Sequence, residues 1–179
     1  MKKLLFTLAI TLATISASAQ KGVKTVGANV SYGTEIKNIG IGVKGQYGIT
    51  DAIRGEASLD YFFKKDGMSM WDVNLNVHYL FPITEKIKVY PLAGLTFTNW
   101  RYEIAWDFED AFEGWYLDEE DYEDIKGKES YTESEFGINL GGGIQYDITD
   151  KLTINAEAKY QIISNYNQLV LGIGVAYKF

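Results

Sequence analysis

Gln168-Leu169-Val170-Leu171-Gly172-Ile173-Gly174-Val175-Ala176-Tyr177-Lys178-Phe179 is the stretch on which the reading of the fold turns. Its odd positions are all large and apolar; its even positions are small or polar apart from Val170. In an extended strand, alternate residues lie on opposite faces, so this alternation gives one apolar and one polar face. The stretch then runs into an aromatic carboxy-terminus. An unpaired apolar strand at an edge invites aggregation, and closing the sheet into a barrel removes that edge.

The same alternation recurs upstream. Val26, Ala28, Val30 and Tyr32 share a face, then Ile39, Ile41, Val43, Tyr47 and Ile49, then Ile53, Ala57, Leu59, Tyr61 and Phe63. Trp71 to Phe81, Ile87 to Phe97, Phe136 to Tyr146 and Leu152 to Ile162 repeat it at every second residue. With the terminal stretch this makes eight expected strands, and an even number brings both ends of an up-and-down barrel to one side. Tyr47-Gly48-Ile49-Thr50-Asp51, Phe81-Pro82-Ile83-Thr84-Glu85 and Tyr146-Asp147-Ile148-Thr149-Asp150 form a weak repeat at three short junctions. Thr and Asp side chains bond their own backbone in turns. The other connections, at 33–38, 64–69, 101–131 and 164–167, are more variable and one is long. At Pro91, which has no ladder donor, a bulge or a locally open ladder is expected.

Residues 1–19 are expected to be a secretory signal: Lys2-Lys3, an apolar run from Leu4 to Ile15, and Ala17-Ser18-Ala19 before Gln20. Residues 20–179 then form one domain. The chain has no cysteine, so no disulfide and no lipidated thiol enters the argument, and the sheet itself must supply the stability.

Period alone does not say which face is inside. Apolar-in would give a soluble lipid carrier of the lipocalin type; apolar-out gives a membrane barrel. The apolar faces end in aromatics such as Tyr32, Tyr61, Phe63, Trp71, Tyr79, Tyr160 and Tyr177, where an amphipathic ring meets lipid headgroups. The opposite faces carry Gly, Asn, Gln and charges of both signs, which suits a narrow filled interior. Short turns on one side and longer loops on the other complete the pattern. The fold expected is all-β: an eight-stranded antiparallel up-and-down transmembrane β-barrel.

The signal, the eight alternating stretches and the terminal Tyr177-Lys178-Phe179 resemble the small OmpA/OmpX-like outer-membrane barrels, the porin-like outer-membrane β-barrel family. The resemblance implies export to the outer membrane of a Gram-negative cell. It implies handling by periplasmic chaperones and the barrel-assembly machinery, with Val175, Tyr177 and Phe179 as the assembly signal. It also implies contact with outer-membrane lipid and lipopolysaccharide. Such barrels include anchors, adhesins and a few lipid-modifying enzymes, so the likeness leaves function open.

Two groups of residues carry the chemistry. Lys44, Arg54, Glu56, Asp60, Asp72, His78, Glu157 and Lys159 fall on the inward face and are expected to form a lumen charge network. An eight-stranded barrel is only just wide enough for its own side chains. His78 is the single histidine; with Ser58 and Asp72 it invites a nucleophile–base–orienter reading, against the simpler one of a hydrogen-bonded lumen residue. The second group is the long loop. Glu103 to Glu135 holds fourteen acids and two lysines, interleaved with Trp100, Tyr102, Trp106, Trp115, Tyr116 and Tyr131. A β-extension from Trp100 to about Trp106, returning from about Tyr131, is expected. At its tip Asp118, Glu119, Glu120, Asp121, Glu123 and Asp124 would gather a loosely held calcium ion or a surface partner. The run is no EF-hand, since Glu123 stands where glycine is needed. Gly40-x-Gly42 and Gly141-Gly142-Gly143 lack the Lys-Ser/Thr ending of a phosphate loop. No basic stripe offers itself to nucleic acid.

The function expected is a monomeric, non-enzymatic scaffold presenting an acidic, aromatic external loop. A narrow ion or small-solute channel is the alternative, and a lipid-modifying enzyme built on His78 a more distant one. No cofactor is expected beyond calcium at the loop.

Overall fold

The structure, a computed structural model, describes residues 20–106 and 127–179. The expected signal and the loop tip at Asp118–Asp124 lie outside the described residues. The strands are β1 (Lys24–Gly33), β2 (Asn38–Gly48), β3 (Ile53–Lys65), β4 (Met68–Tyr79), β5 (Phe81–Pro82), β6 (Ile87–Trp106), β7 (Gly127–Asp147), β8 (Leu152–Ile163) and β9 (Gln168–Lys178). Every pairing is antiparallel between chain neighbours, and β1 pairs with β9 from Thr25↔Lys178 to Gly33↔Val170, which closes the sheet.

β5 is the continuation of β4, so the barrel has eight staves. The β4–β6 ladder stops at His78↔Leu92 and resumes at Phe81↔Val89 with the same register. The missing rungs lie opposite Tyr90 and Pro91. Proline removes the donor there, while on the other side of the strand Leu80 N–H keeps the β3–β4 register, donating to Ala52 O at 2.7 Å. Of the two outcomes expected at Pro91, the ladder opens and does not bulge. The register shift instead falls between Phe62 and Lys65 on β3, just before a two-residue hairpin in which Asp66 and Gly67 both have positive φ. That is the turn whose twist matches the flanking strands. This turn is tighter than the 64–69 loop expected from sequence.

The three Ile-Thr-acid junctions are one turn used three times. Thr50, Thr84 and Thr149 each accept from the backbone N–H three residues on, at 2.9, 3.0 and 2.9 Å. The threonine hydroxyl thereby stands in for a ladder partner at the strand start. All three lie at one end of the barrel, the short-turn end. The longer connections lie at the other.

The faces divide as the alternation implies. Ile41, Val43, Leu59, Leu75, Leu95, Leu140 and Ile173 project outward with about half or more of their surface free, while Asp72, Asn74, His78, Thr98, Asn139 and Gln161 are fully buried inside. This is a soluble protein turned inside out. It is stable only where the outer face meets hydrocarbon and every ladder is closed. Inward glycines make room for large neighbours: a Cβ on Gly42 would sit 2.0 Å from Asp60 Oδ1, and one on Gly143 2.5 Å from the Tyr90 ring. Both Gly-rich runs thus serve packing.

Candidate functional site in the barrel lumen

The lumen is built in layers. At the short-turn end Lys88 and Lys178 meet the Asp147 carboxylate at 2.6 and 2.9 Å. Gln145 donates to the same carboxylate at 2.8 Å and accepts from Arg54 Nη1 at 2.6 Å. Arg54 also lies over the Tyr90 ring, 5.1 Å from its centroid, and His78 stacks on that ring at 4.7 Å. Leu80 and Leu92 pack with Tyr90 into a small apolar cluster.

The middle layer carries most of the charge. Glu56 accepts from Gln46 at 2.7 Å and from Asn76 at 3.3 Å, and stands 3.7 Å from Lys44 Nζ. Glu157 accepts from Tyr90 at 3.1 Å. Asp60 accepts from Asn29 at 2.6 Å and Ser58 at 3.2 Å, with Lys159 at 4.0 Å. Asp72 accepts from Asn74 at 2.7 Å and Gln161 at 2.9 Å. Between them is a cavity of about 20 Å³ lined by Asn29, Lys44, Glu56, Asp60, Glu157 and Lys159, room for a single water. All eight inward residues singled out from the sequence therefore lie in the lumen.

His78, Ser58 and Asp72 form no triad. His78 contacts Arg54, Glu56 and Tyr90; Ser58 bonds Asp60 and Asn74; Asp72 bonds Asn74 and Gln161. Base, nucleophile and orienter each have other partners, and a triad needs them in mutual reach. Glu56, His78 and Glu157 do converge, their ligand atoms within 4.8 Å of one another. The imidazole speaks against a metal there. Arg54 approaches Nδ1 at 2.9 Å, and arginine can only donate, so Nδ1 accepts and the ring proton sits on Nε2. That nitrogen points at Glu56 Oε1, 3.6 Å away, with its lone pair unavailable to an ion. Lys44 already faces the carboxylate a metal would need.

The long-loop end was missed in the sequence. Trp100 and Tyr102 read there as loop aromatics, but the even positions of β6 from Lys88 to Tyr102 face inward, and Trp100 is fully buried in the barrel mouth. It packs with Ile36, Phe62, Met70 and Val170 into an apolar plug, flanked by Met68, Tyr102 and Tyr166. Ile36 is a loop residue folded inward. Trp100 stacks on Tyr166 at 4.7 Å and donates to Thr98 at 3.2 Å. Tyr166 donates to Glu133, whose carboxylate pushes the phenol's pKa up. The parity of Lys88, Thr96 and Thr98 carried on to Trp100 would have found the plug's centre; nothing local marks Ile36.

Beyond the plug, β6 and β7 continue as a hairpin to Trp106↔Gly127. The return strand begins earlier than the expected Tyr131. Tyr102 and Tyr131 stack at 4.8 Å. Outside, Trp71, Phe97 and Phe136 form a run of ring contacts at 5.8 and 4.8 Å.

The sequence profile of the outer membrane protein β-barrel domain matches residues 4–179, and the chain belongs to that family. Among solved structures it is similar to the N-terminal β-barrel domain of Pseudomonas aeruginosa OprF, at 19% identity and TM-score 0.60, covering 89% of this chain and 98% of that one. It is similar to Ail, the attachment invasion locus protein of Yersinia pestis, at 17% identity and TM-score 0.58, covering 89% and 99%. Neisserial surface protein A aligns at 15% identity and TM-score 0.62, covering 88% and 96%. At such identities the likeness is one of fold. Comparison with curated protein sequences finds no match. The chain is therefore an outer-membrane β-barrel protein.

Proposed function

We propose that this protein is a non-conducting outer-membrane scaffold that presents the β6–β7 hairpin at the cell surface for interaction. The apolar plug of Ile36, Phe62, Met70, Trp100 and Val170 carries the proposal, because it lies across the lumen mouth above the polar network. An ion crossing it would shed water against side chains that offer no replacement. The long-loop end is the extracellular one on this reading, as short turns face the periplasm in such barrels. Lumen residues Lys44, Arg54, Glu56, Asp60, Asp72, His78, Glu157 and Lys159 act as internal packing. The acidic tip at Asp118–Asp124 adds a calcium-bridged or partner-binding surface, and outer-membrane lipid and lipopolysaccharide surround a single copy.

Planar-bilayer recording tests this. The purified barrel is expected to give no stable conductance steps, and Glu157→Ala none either. Stable steps whose size shifts in Glu157→Ala would establish the channel alternative.

Assembly is the second point. Val175, Tyr177 and Phe179 face outward on the last strand, and Phe179 N–H bonds Lys24 O at 2.9 Å across the closing seam. Exposed rings on the last stave support their being read by the assembly machinery. Deleting Phe179 is expected to lower the amount of heat-modifiable barrel in the outer membrane and to leave chain in the periplasm. An unchanged level would remove the role.

A further inference from the structure

Methionine is concentrated at one point of the barrel. The chain has three: Met1, in the expected signal, and Met68 and Met70 on β4. The last two share the inward face at the long-loop mouth, two residues and so about 6.6 Å apart along the strand. Met70 is 1% exposed within the apolar plug, and Met68, half-buried, packs against the plug from the rim. Across the β4–β6 ladder Met70 stands opposite Trp100 and Met68 opposite Tyr102. Two thioethers and two electron-rich rings therefore meet on one patch.

Gap filling accounts for a methionine in a core. It does not account for the polar setting of this one. Gln168 Nε2 donates to Met70 Sδ at 3.4 Å, so a sulfur lone pair is turned toward a buried amide. Gln168 is itself 1% exposed, and its Oε1 has no hydrogen-bond partner. The amide thus keeps an unused acceptor beside a sulfur that has a second lone pair. Buried acceptors of this kind are normally satisfied.

The donor set selects the ion. Thioethers are neutral and polarisable; they do not replace the hydration of calcium or magnesium, which need oxygen ligands, but they do bind soft monovalent ions. Harder competition within the chain is absent: there is no cysteine, and the single histidine is held inside the lumen by Arg54 and Tyr90. A cation also gains from lying against the face of Trp or Tyr. Glu133, which accepts from Tyr166 at the flank of the plug, sets a negative charge at the approach.

We propose that Met68 and Met70 form a binding site for a soft monovalent metal cation of the copper(I) and silver(I) type, with the two thioether sulfurs as ligands and Trp100 beside them. Met68, on the rim, takes the ion first; each side chain has three rotatable bonds with which to bring its sulfur to it. The site is independent of the surface role proposed above and leaves the mouth sealed.

The test uses the full barrel in zwitterionic lipid nanodiscs, isotope-labelled at the methionine methyl groups, titrated with silver nitrate in chloride-free buffer and followed by NMR. Both barrel methyl resonances are expected to shift together and to stop shifting at one silver ion per barrel. Zinc(II) at the same concentration is expected to leave them in place. Met68→Leu and Met70→Leu are swaps of similar volume that a core tolerates, so each should remain heat-modifiable. Each is expected to weaken silver binding roughly tenfold or more, as the loss of a metal's supporting group does. A shift of Met68 alone would mean an exposed thioether and no built site. Equal shifts with zinc(II), or silver binding unchanged in both leucine variants, would overturn the proposal as well; the wild-type titration decides it even where a variant does not fold.

Discussion

Glu56→Ala is expected to lower the unfolding free energy of the barrel by about 3–5 kcal/mol, the usual cost of removing one partner from a buried charge pair. Glu56 is nearly fully buried and is the anion nearest to Lys44 and His78. Alanine would leave Lys44 and Arg54 enclosed with one carboxylate fewer, and would strand the amide donors of Gln46 and Asn76. Barrel strands cannot part locally to admit water as a loop can, so the charge stays enclosed. Glu56→Gln keeps acceptors for one amide and is expected to fall between wild type and alanine. Pairing Glu56→Ala with Lys44→Ala should recover part of the loss, since the stranded ammonium goes too. Urea unfolding in lipid vesicles measures all of these. A loss under about 1 kcal/mol, the scale of an exposed pair, would mean that the lumen network does not hold the barrel together.

The period-two alternation carried most of the fold. Leu169, Leu171, Ile173 and Val175 can meet bilayer together only on one face of one strand, and the other staves repeat that constraint. The inward charges were legible for the same reason: Arg54, Glu56, Ser58 and Asp60 share parity, and parity fixes the face. The partners were not legible. Glu56 meets Lys44 because Gln46 pairs with Glu56 in the β2–β3 register, and a register is set by turns whose length the sequence marks only loosely. The tight Asp66-Gly67 hairpin and the open ladder at Pro91 show the difference.

Apolar residues inside were the other blind spot. An apolar-out rule assigns Phe62, Met70, Trp100 and Val170 to no clear place, because each interrupts a polar row. In three dimensions they lie at one height, where the lumen meets the outside. A polar network left open there would exchange its internal hydrogen bonds with water. An apolar layer keeps them paired with each other, and Gln168 joins the two zones, donating to Gln161 at 2.7 Å and to Met70 Sδ at 3.4 Å.

Trp100→Ala is accordingly expected to cost about 3–5 kcal/mol, the range for truncating a buried aromatic to alanine. Trp100 has no exposed surface, and its neighbours in the plug hang from β3, β4, β9 and the β1–β2 loop, on a closed sheet that cannot collapse into the space. The control is Trp71→Ala. Trp71 faces outward toward Phe97, where lipid can fill the gap, so its loss should cost distinctly less. The two variants delete the same side chain, and the difference between them isolates the plug. Trp100→Ala also removes the ring on which Tyr166 stacks, so amides of the 164–167 loop should exchange hydrogen faster than in wild type, while those of the three Ile-Thr-acid turns at the other end stay as they were. Equal destabilisation by Trp71→Ala and Trp100→Ala, with loop exchange unchanged, would show that the mouth is held by its backbone and not by the apolar layer, and the case for a sealed lumen would lose its main support.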